Sequence, residues 1–174
     1  MPSEESQPTG NLTMNHAAQY AHVLFMDRFV IEVWLYGSLA DVPSPGFVKT
    51  GGDVDLIAIV RDAVYANHRR NIESASPENR FSITLGALGP ITRFNLTLLN
   101  AVNINATQKF PLDLLLFPPD WQERAKELDE EEPRLFDPGF IQRIAPLAMI
   151  YNPETRVFES LAPAKQTAEA ATGA

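Results

Sequence analysis

Two aspartates, Asp53 and Asp55, stand at the start of an apolar run that reads VDLIAIV. Side chains alternate in direction along a strand, so both carboxylates are expected on the same face of a sheet. Two carboxylates on one face repel each other unless a cation lies between them. Their apolar neighbours leave them few other partners. The spacing therefore predicts oxygen ligands for a divalent metal ion.

A third carboxylate, Asp113, interrupts the apolar run FPLDLLLF at residues 110–117. A lone carboxylate buried among such neighbours is costly, and a metal shared with the first two aspartates would offset that cost. Pairing with an arginine, such as Arg61 or Arg93, is an alternative that the sequence leaves open.

Gly37 and Ser38 follow directly after the run EVWLY at 32–36. Glycine allows a sharp turn and a close approach to a ligand, and a serine hydroxyl with nearby amides can bind phosphate oxygens. Taken singly, a Gly-Ser pair is most often an ordinary turn, and an Asp-x-Asp at a strand start is often a solvated edge or a cap. The combination of all three features beside strands favours one shared site.

The elements that must position these residues alternate between helix and strand. Helices are predicted over 14–30 and about 62–75, and strands over 32–36, 54–60 and 110–117. These elements indicate a small α/β or α+β domain with a mixed sheet flanked by helices.

Three other segments are less regular. Asp120 is a candidate N-cap for a helix that reads WQERAKEL, and a last helix is predicted over 139–151 with a kink at Pro146. The pattern of residues 80–108 fits either strand or helix.

One domain is expected over residues 13–161, between polar tails at 1–12 and 162–174. The first residues have neither a basic start nor an apolar run, and no apolar stretch is long enough to span a membrane. The expected location is therefore cytoplasmic, with no membrane partner.

Composition excludes several kinds of site. The chain has no cysteine and only three histidines, which leaves oxygen ligands and so magnesium, manganese or calcium. A net charge of −8 argues against a protein that coats nucleic acid, but a metal ion would allow a nucleotide to bind. The sequence lacks the Gly-x-x-x-x-Gly-Lys-Ser/Thr loop of P-loop enzymes.

Four other features have ordinary structural interpretations. Trp34 and Trp121 are expected to be packing residues, and His68, which two arginines follow, is expected at an exposed helix end. The acidic run at 129–133 is expected to be a solvated helix end.

The order of these motifs resembles the polymerase-beta nucleotidyltransferase superfamily. The matching stretches are LYGSLA at 35–40, GGDVDLIAIV at 51–60 and PLDLLLF at 111–117, within roughly residues 14–120. The resemblance implies a minimal nucleotidyltransferase-like domain. Many small members have arginine and glycine soon after the Gly-Ser pair, whereas this chain has a longer loop whose only cation is Lys49. That lysine could meet a phosphate, although an exposed loop lysine is the more common arrangement.

The resemblance also implies roles for individual residues. Gly37 and Ser38 would hold a triphosphate, and Asp53 and Asp55 would bind the Mg²⁺ or Mn²⁺ ions that bridge its phosphates. Asp113 would complete the site and position or deprotonate an attacking hydroxyl.

The implied activity is transfer of a nucleoside monophosphate from a nucleoside triphosphate to a hydroxyl of a protein, an RNA or a small molecule. Two alternatives remain. Small members of this superfamily are often paired with a toxin, commonly of the HEPN ribonuclease type, so the chain could be an antitoxin-like interaction protein. It could also be a nucleotide-binding domain without turnover.

Overall fold

The structure is a computed structural model, and the residues that it describes are 11–12, 14–41, 49–50, 54–105, 112–131 and 139–160. Its strands, in chain order, are β1 (Asn11–Leu12), β2 (Val30–Leu35), β3 (Lys49–Thr50), β4 (Val54–Val60), β5 (Leu112–Phe117), β6 (Met149–Asn152) and β7 (Val157–Ser160). Its helices are α1 (Met14–Phe25), α2 (Ser38–Asp41), α3 (Asp62–Ile72), α4 (Arg80–Gly86), α5 (Pro90–Asn105), α6 (Ala125–Glu131) and α7 (Phe140–Ile144). Short 3₁₀ helices occupy Pro77–Asn79 and Ala145–Leu147.

Five of the strands form one mixed sheet in the order β5-β4-β2-β6-β7. The β4–β5 pair is parallel, and the other neighbouring pairs are antiparallel. The two remaining strands, β1 and β3, form a separate antiparallel pair. The predicted α+β domain, with a mixed sheet flanked by helices, is confirmed.

Both faces of the sheet are covered. On one face, Trp121 packs edge-on against Trp34 with ring centroids 5.5 Å apart, and stacks on Phe117 at 5.7 Å. On the other face, Phe25 of α1 packs against Tyr151. Tyr151 follows Ile150, the strand partner of Trp34, and therefore points to the face opposite Trp34. Both tryptophans are buried, as the sequence predicted.

The interior strand β4 has the predicted bounds, 54–60. By contrast, α1 ends at Phe25, five residues before the predicted end. The chain turns at Asp27, whose carboxylate accepts the N–H of Phe29 at 2.8 Å. The β-branched residue Val30 then begins β2 in the sheet.

The ambiguous segment 80–108 forms two helices, α4 and α5, as far as the structure describes it. Thr84 is the buried residue of α4, Leu88 is buried in the turn between the two helices, and Thr92 and Leu96, four positions apart, lie on the buried side of α5. Pro90 is the first residue of α5, where its missing N–H has no helical partner to lose.

The predicted last helix over 139–151 is wrong in its second half. Its helical part, α7, ends at Ile144, and the 3₁₀ turn that contains Pro146 leads directly into β6. Proline offers no N–H for a continuing helix. The alternating burial of β6 matches its place between β2 and β7, and β7 itself was not predicted.

The helix expected directly after Asp120 begins later, at Ala125. Hydrogen-bonded turns precede it: Trp121 N–H donates to the Pro118 carbonyl, and Arg124 N–H donates to that of Asp120. The prediction of an N-cap at Asp120 is therefore wrong.

Residues 11–12, assigned to the N-terminal tail from the sequence, form β1. The rest of the two predicted tails, residues 1–10 and 162–174, lies outside the described residues. Within the described part of the chain, no helix is long and apolar enough to cross a membrane.

Candidate functional site

Asp55 and Asp113 are direct neighbours across the parallel β4–β5 pair. Residues opposite each other in neighbouring strands share a face, and such strands lie about 4.8 Å apart. Both aspartates are partly exposed, whereas Val54 and Leu56 on either side of Asp55 are fully buried. Two of the three predicted carboxylates therefore meet at a solvent-accessible end of the sheet.

Gly37 forms the turn that faces Asp55. Its φ is +84°, in the left-handed region that favours glycine. A Cβ at this position would overlap the Oδ2 atom of Asp55. The adjacent Tyr36 N–H donates to the Asp55 carbonyl at 3.0 Å, so the turn is joined to the strand start. Glycine is required here for its backbone conformation and for the space that the carboxylate fills.

Tyr36 links this turn to the second carboxylate. Its hydroxyl donates to Asp113 Oδ2 at 3.3 Å, and its ring packs edge-on against Phe140 with centroids 6.0 Å apart. The side chain is buried. Sequence reasoning missed Tyr36, although its position directly before the predicted glycine turn was a usable signal.

Three predicted site residues are described in part or not at all. Asp53 lies outside the described residues. Ser38 begins α2 and Lys49 begins β3, and for both the structure describes the backbone alone.

The two arginines considered as partners for Asp113 have other positions. Arg93 donates to the carbonyls of Gly86 and Leu88 at 3.3 and 2.5 Å. Arg61 follows the far end of β4, six positions after Asp55, which is about 20 Å along a strand. Neither of these two arginines therefore pairs with Asp113.

The carboxylate pair fits the requirements of Mg²⁺. This ion is commonly held by one or two carboxylates, with phosphate oxygens and water completing its shell. Within the described ranges, no group of three or more potential ligands gathers. The third predicted ligand, Asp53, lies outside those ranges.

His68 is not at the surface, so the expectation of an exposed helix end is wrong. Only 2% of its surface is accessible, because Tyr65, His68 and Ile72 form the buried side of α3. Burial, together with the positive charge of Arg69, lowers the pKa of His68 to about 4. Its Nδ1 atom has no hydrogen-bond partner within the described part of the protein.

The acidic run at 129–133 has structural contacts where it is described. Asp129 accepts the N–H groups of Ile141 and Gln142 at 2.8 and 3.1 Å, at the start of α7. Glu131 accepts the hydroxyl of Tyr65 at 3.4 Å. The run does end a helix, α6, and Glu130 and Glu131 are exposed there, but Asp129 and Glu131 also make these structural contacts.

Comparison of the chain with protein-family models, with curated proteins and with solved structures finds no match in any of the three.

Proposed function

We propose that the sheet end carrying Asp55, Asp113 and Gly37 is the active site of a Mg²⁺-dependent nucleotidyltransferase. The reaction transfers a nucleoside monophosphate from a nucleoside triphosphate to a hydroxyl acceptor. The observation that carries the proposal is the in-register pair of Asp55 and Asp113, with the carboxylate of Asp55 packed into the space left by Gly37.

The metal-binding part of the proposal rests on the chemistry of this pair. Carboxylate oxygens are ligands that Mg²⁺ prefers, and the partly exposed end of the sheet gives a nucleotide access to them. Asp53 precedes Asp55 by two positions, so strand alternation would bring a third carboxylate to the same face. Mn²⁺ would fit the same ligands.

In the proposed reaction, the acceptor hydroxyl attacks the α-phosphorus and the bond to pyrophosphate breaks. Asp113 accepts the hydroxyl proton, and the hydrogen bond from Tyr36 orients its carboxylate. Gly37 lets phosphate approach the backbone, and Ser38 and Lys49 contact phosphate oxygens. When bound, magnesium neutralises charge on the triphosphate and on the leaving pyrophosphate.

The test is transfer of label from α-³²P-labelled ATP, GTP, CTP or UTP, with Mg²⁺ or Mn²⁺, to protein, RNA and small-molecule acceptors. We compare wild type with Asp55→Asn and Asp113→Asn, and use Asp62→Asn, an exposed aspartate on α3, as the matched control. The two site variants should lose about 100-fold or more of the label, and the control should retain it. Equal labelling by wild type and Asp55→Asn would refute the proposal.

Nucleotide binding without turnover is separated in the same samples by thermal unfolding. Such a domain would be stabilised by nucleotide only when Mg²⁺ is present, would lose that stabilisation in Asp55→Asn, and would transfer no label.

A second candidate, an antitoxin-like interaction protein, is favoured by an apolar row on α5. Ile91, Phe94 and Leu98 are 65%, 68% and 55% exposed, and their spacing puts them on one side of the helix. Contiguous exposed apolar residues often mark a protein interface. We expect this row to bind a partner protein through an apolar surface of that partner.

Co-purification with the product of the neighbouring gene tests this candidate. Phe94→Ser should abolish a complex that Asp55→Asn retains, while Thr97→Ser, an exposed change on the same helix, should leave it intact. A complex that survives Phe94→Ser, or no complex with the wild type, would exclude the role of this row.

A further inference from the structure

A pocket lies between α1 and the β6–β7 hairpin. Its volume is about 320 Å³, and it is lined by Asn15, Ala18, Gln19, His22, Tyr151 and Arg156. The pocket lies on the sheet face covered by α1. The carboxylate pair lies on the opposite face. Asp55 and Ile57 point to the same side of β4, and Ile57 is the strand partner of Trp34, whose side chain lies on the face away from α1. The two sites are therefore separated by the sheet.

The lining is rich in hydrogen-bond donors and contains no acid. Five of its six residues carry a polar side chain, including the amides of Asn15 and Gln19, and Arg156 carries a permanent positive charge. The whole chain, by contrast, has 22 acidic residues against 14 Lys and Arg. This pocket therefore differs in charge from the protein as a whole and is suited to a negative group.

A hydrogen bond joins the two walls of the pocket. Nδ1 of His22, on α1, lies 2.9 Å from the hydroxyl of Tyr151, on β6. When this hydroxyl donates to Nδ1, the neutral imidazole has its proton on Nε2, and that N–H is available as a donor. Burial raises the pKa of Tyr151, and the positive charge of Arg156 opposes that rise. The guanidinium is therefore close enough to the Tyr151 hydroxyl to influence it electrostatically.

The hairpin turn fixes the position of Arg156. Its φ is +61°, which is unusual for a residue with a side chain, and its N–H donates to the Asn152 carbonyl at 2.7 Å. The Asn152 side chain also accepts the N–H of Glu154 at 2.9 Å. Within the described ranges, no carboxylate forms an ion pair with Arg156. Its charge is thus available to a ligand.

We propose that this pocket binds the anionic group of a small ligand, a phosphate monoester or a carboxylate. Arg156 provides the charge, and Asn15, Gln19 and His22 provide hydrogen bonds. Its volume is at the lower end for ligand sites, about 300–1,000 Å³, which suits a metabolite-sized anion.

The test is an NMR titration of the metal-free full chain labelled with ¹⁵N. Inorganic phosphate and acetate are the two probes, and sodium chloride at equal ionic strength controls for screening. Saturable shifts are expected at the backbone amides of Asn15, Gln19 and Arg156. The probe with the lower Kd identifies the ligand as a phosphate or a carboxylate compound.

Three variants show whether the pocket is responsible. Arg156→Gln should raise the Kd by about fivefold or more, as expected for loss of a charged hydrogen bond. Gln19→Ala, an exposed change on α1, should weaken binding without altering the hairpin. Arg70→Gln, an exposed arginine on α3, is the matched control and should leave the Kd unchanged.

Shifts that grow linearly with both probes, or equal Kd values for Arg156→Gln and Arg70→Gln, would overturn the proposal. If Arg156→Gln disturbs the hairpin amides before any probe is added, Gln19→Ala alone decides. In that case, an unchanged Kd in Gln19→Ala rejects the site.

Discussion

Acid should destabilise this protein through one buried side chain, His68. Its imidazole is 2% exposed, and burial with the nearby charge of Arg69 lowers its pKa from 6.5 to about 4. In the unfolded chain the same group recovers a pKa of about 6.5. Between these two values the unfolded state therefore binds a proton that the folded state does not.

The sign and size of the effect follow from this difference. Stability rises with pH wherever the unfolded state binds more protons, so the contribution of His68 is complete above pH 6.5 and is lost as the pH falls toward 4. A difference of 2.5 pKa units corresponds to about 3 kcal/mol at the acidic limit. At pH 5 the same relation gives a loss of about 2 kcal/mol.

Urea unfolding of wild type and His68→Gln between pH 7.5 and pH 4.5 measures the effect. Contributions of other groups to the pH dependence largely cancel in the difference between the two proteins. The free energy of unfolding of the wild type should fall relative to the variant by about 2 kcal/mol from pH 7.5 to pH 5. His16→Gln is the matched control, with a smaller change of the same sign, because His16 is only partly buried and its pKa is also lowered.

Two results would refute this reasoning. One is a difference in unfolding free energy that does not vary with pH. The other is an NMR titration in which the ring protons of His68 in the folded protein change with a midpoint near 6.5. If His68→Gln does not fold, His68→Leu provides the same comparison without a titrating group.

Three further predictions concern stability. Gly37→Ala adds a Cβ at a residue with positive φ and drives it into the carboxylate of Asp55, so it should cost about 2 kcal/mol or more. Under the proposed function, the same change should also weaken Mg²⁺-dependent nucleotide binding. Gly89→Ala places a Cβ 2.5 Å from Oδ2 of the buried Asp27, and should cost about 1–3 kcal/mol in urea unfolding. Asp129→Ala removes the acceptor for two N–H groups of α7 and should cost about 1 kcal/mol in the same assay.

Substitutions at two other glycines distinguish the cost of overlap with a neighbouring atom from the cost of a side chain at positive φ. Gly139 has a φ of +80°, but a Cβ there would meet its nearest neighbour at 3.5 Å, so Gly139→Ala should show backbone strain alone. Gly86 ends α4 with nothing within 4 Å of a Cβ, so Gly86→Ala should not destabilise. Equal losses in Gly37→Ala and Gly139→Ala would contradict the overlap with Asp55.

The sequence predicts best where one local pattern determines the structure. The apolar run of β4 matches its predicted bounds because a strand buried on both faces needs continuous apolar residues and a polar start. The pairing of Asp55 with Asp113 follows from the same logic, since each acid stands near the start of such a strand. Gly37 was predicted as a turn, and its positive φ agrees.

Tertiary contacts decide the features that the sequence missed. Thr84 of α4 and Thr92 of α5 are buried, but threonine is more often exposed and is a weak helix former, so its position in the sequence does not indicate burial. Likewise, the apolar run after Pro146 fits helix or strand until β2 provides an edge to pair with. The charged neighbours of His68 predict an exposed position, whereas the side of α3 that is buried depends on what packs against the helix.

The register between β4 and β5 connects the fold to the proposed chemistry. Both strands are apolar on both faces, so hydrophobic alternation alone would permit a shift between them. A shift of two residues would move Asp113 from beside Asp55 to beside Ile57, which is fully buried. Burying an unpaired carboxylate there would be costly. The observed register keeps both carboxylates at the partly exposed end of the sheet. The cost of burying a carboxylate, which favours this register, therefore also brings the proposed metal ligands together.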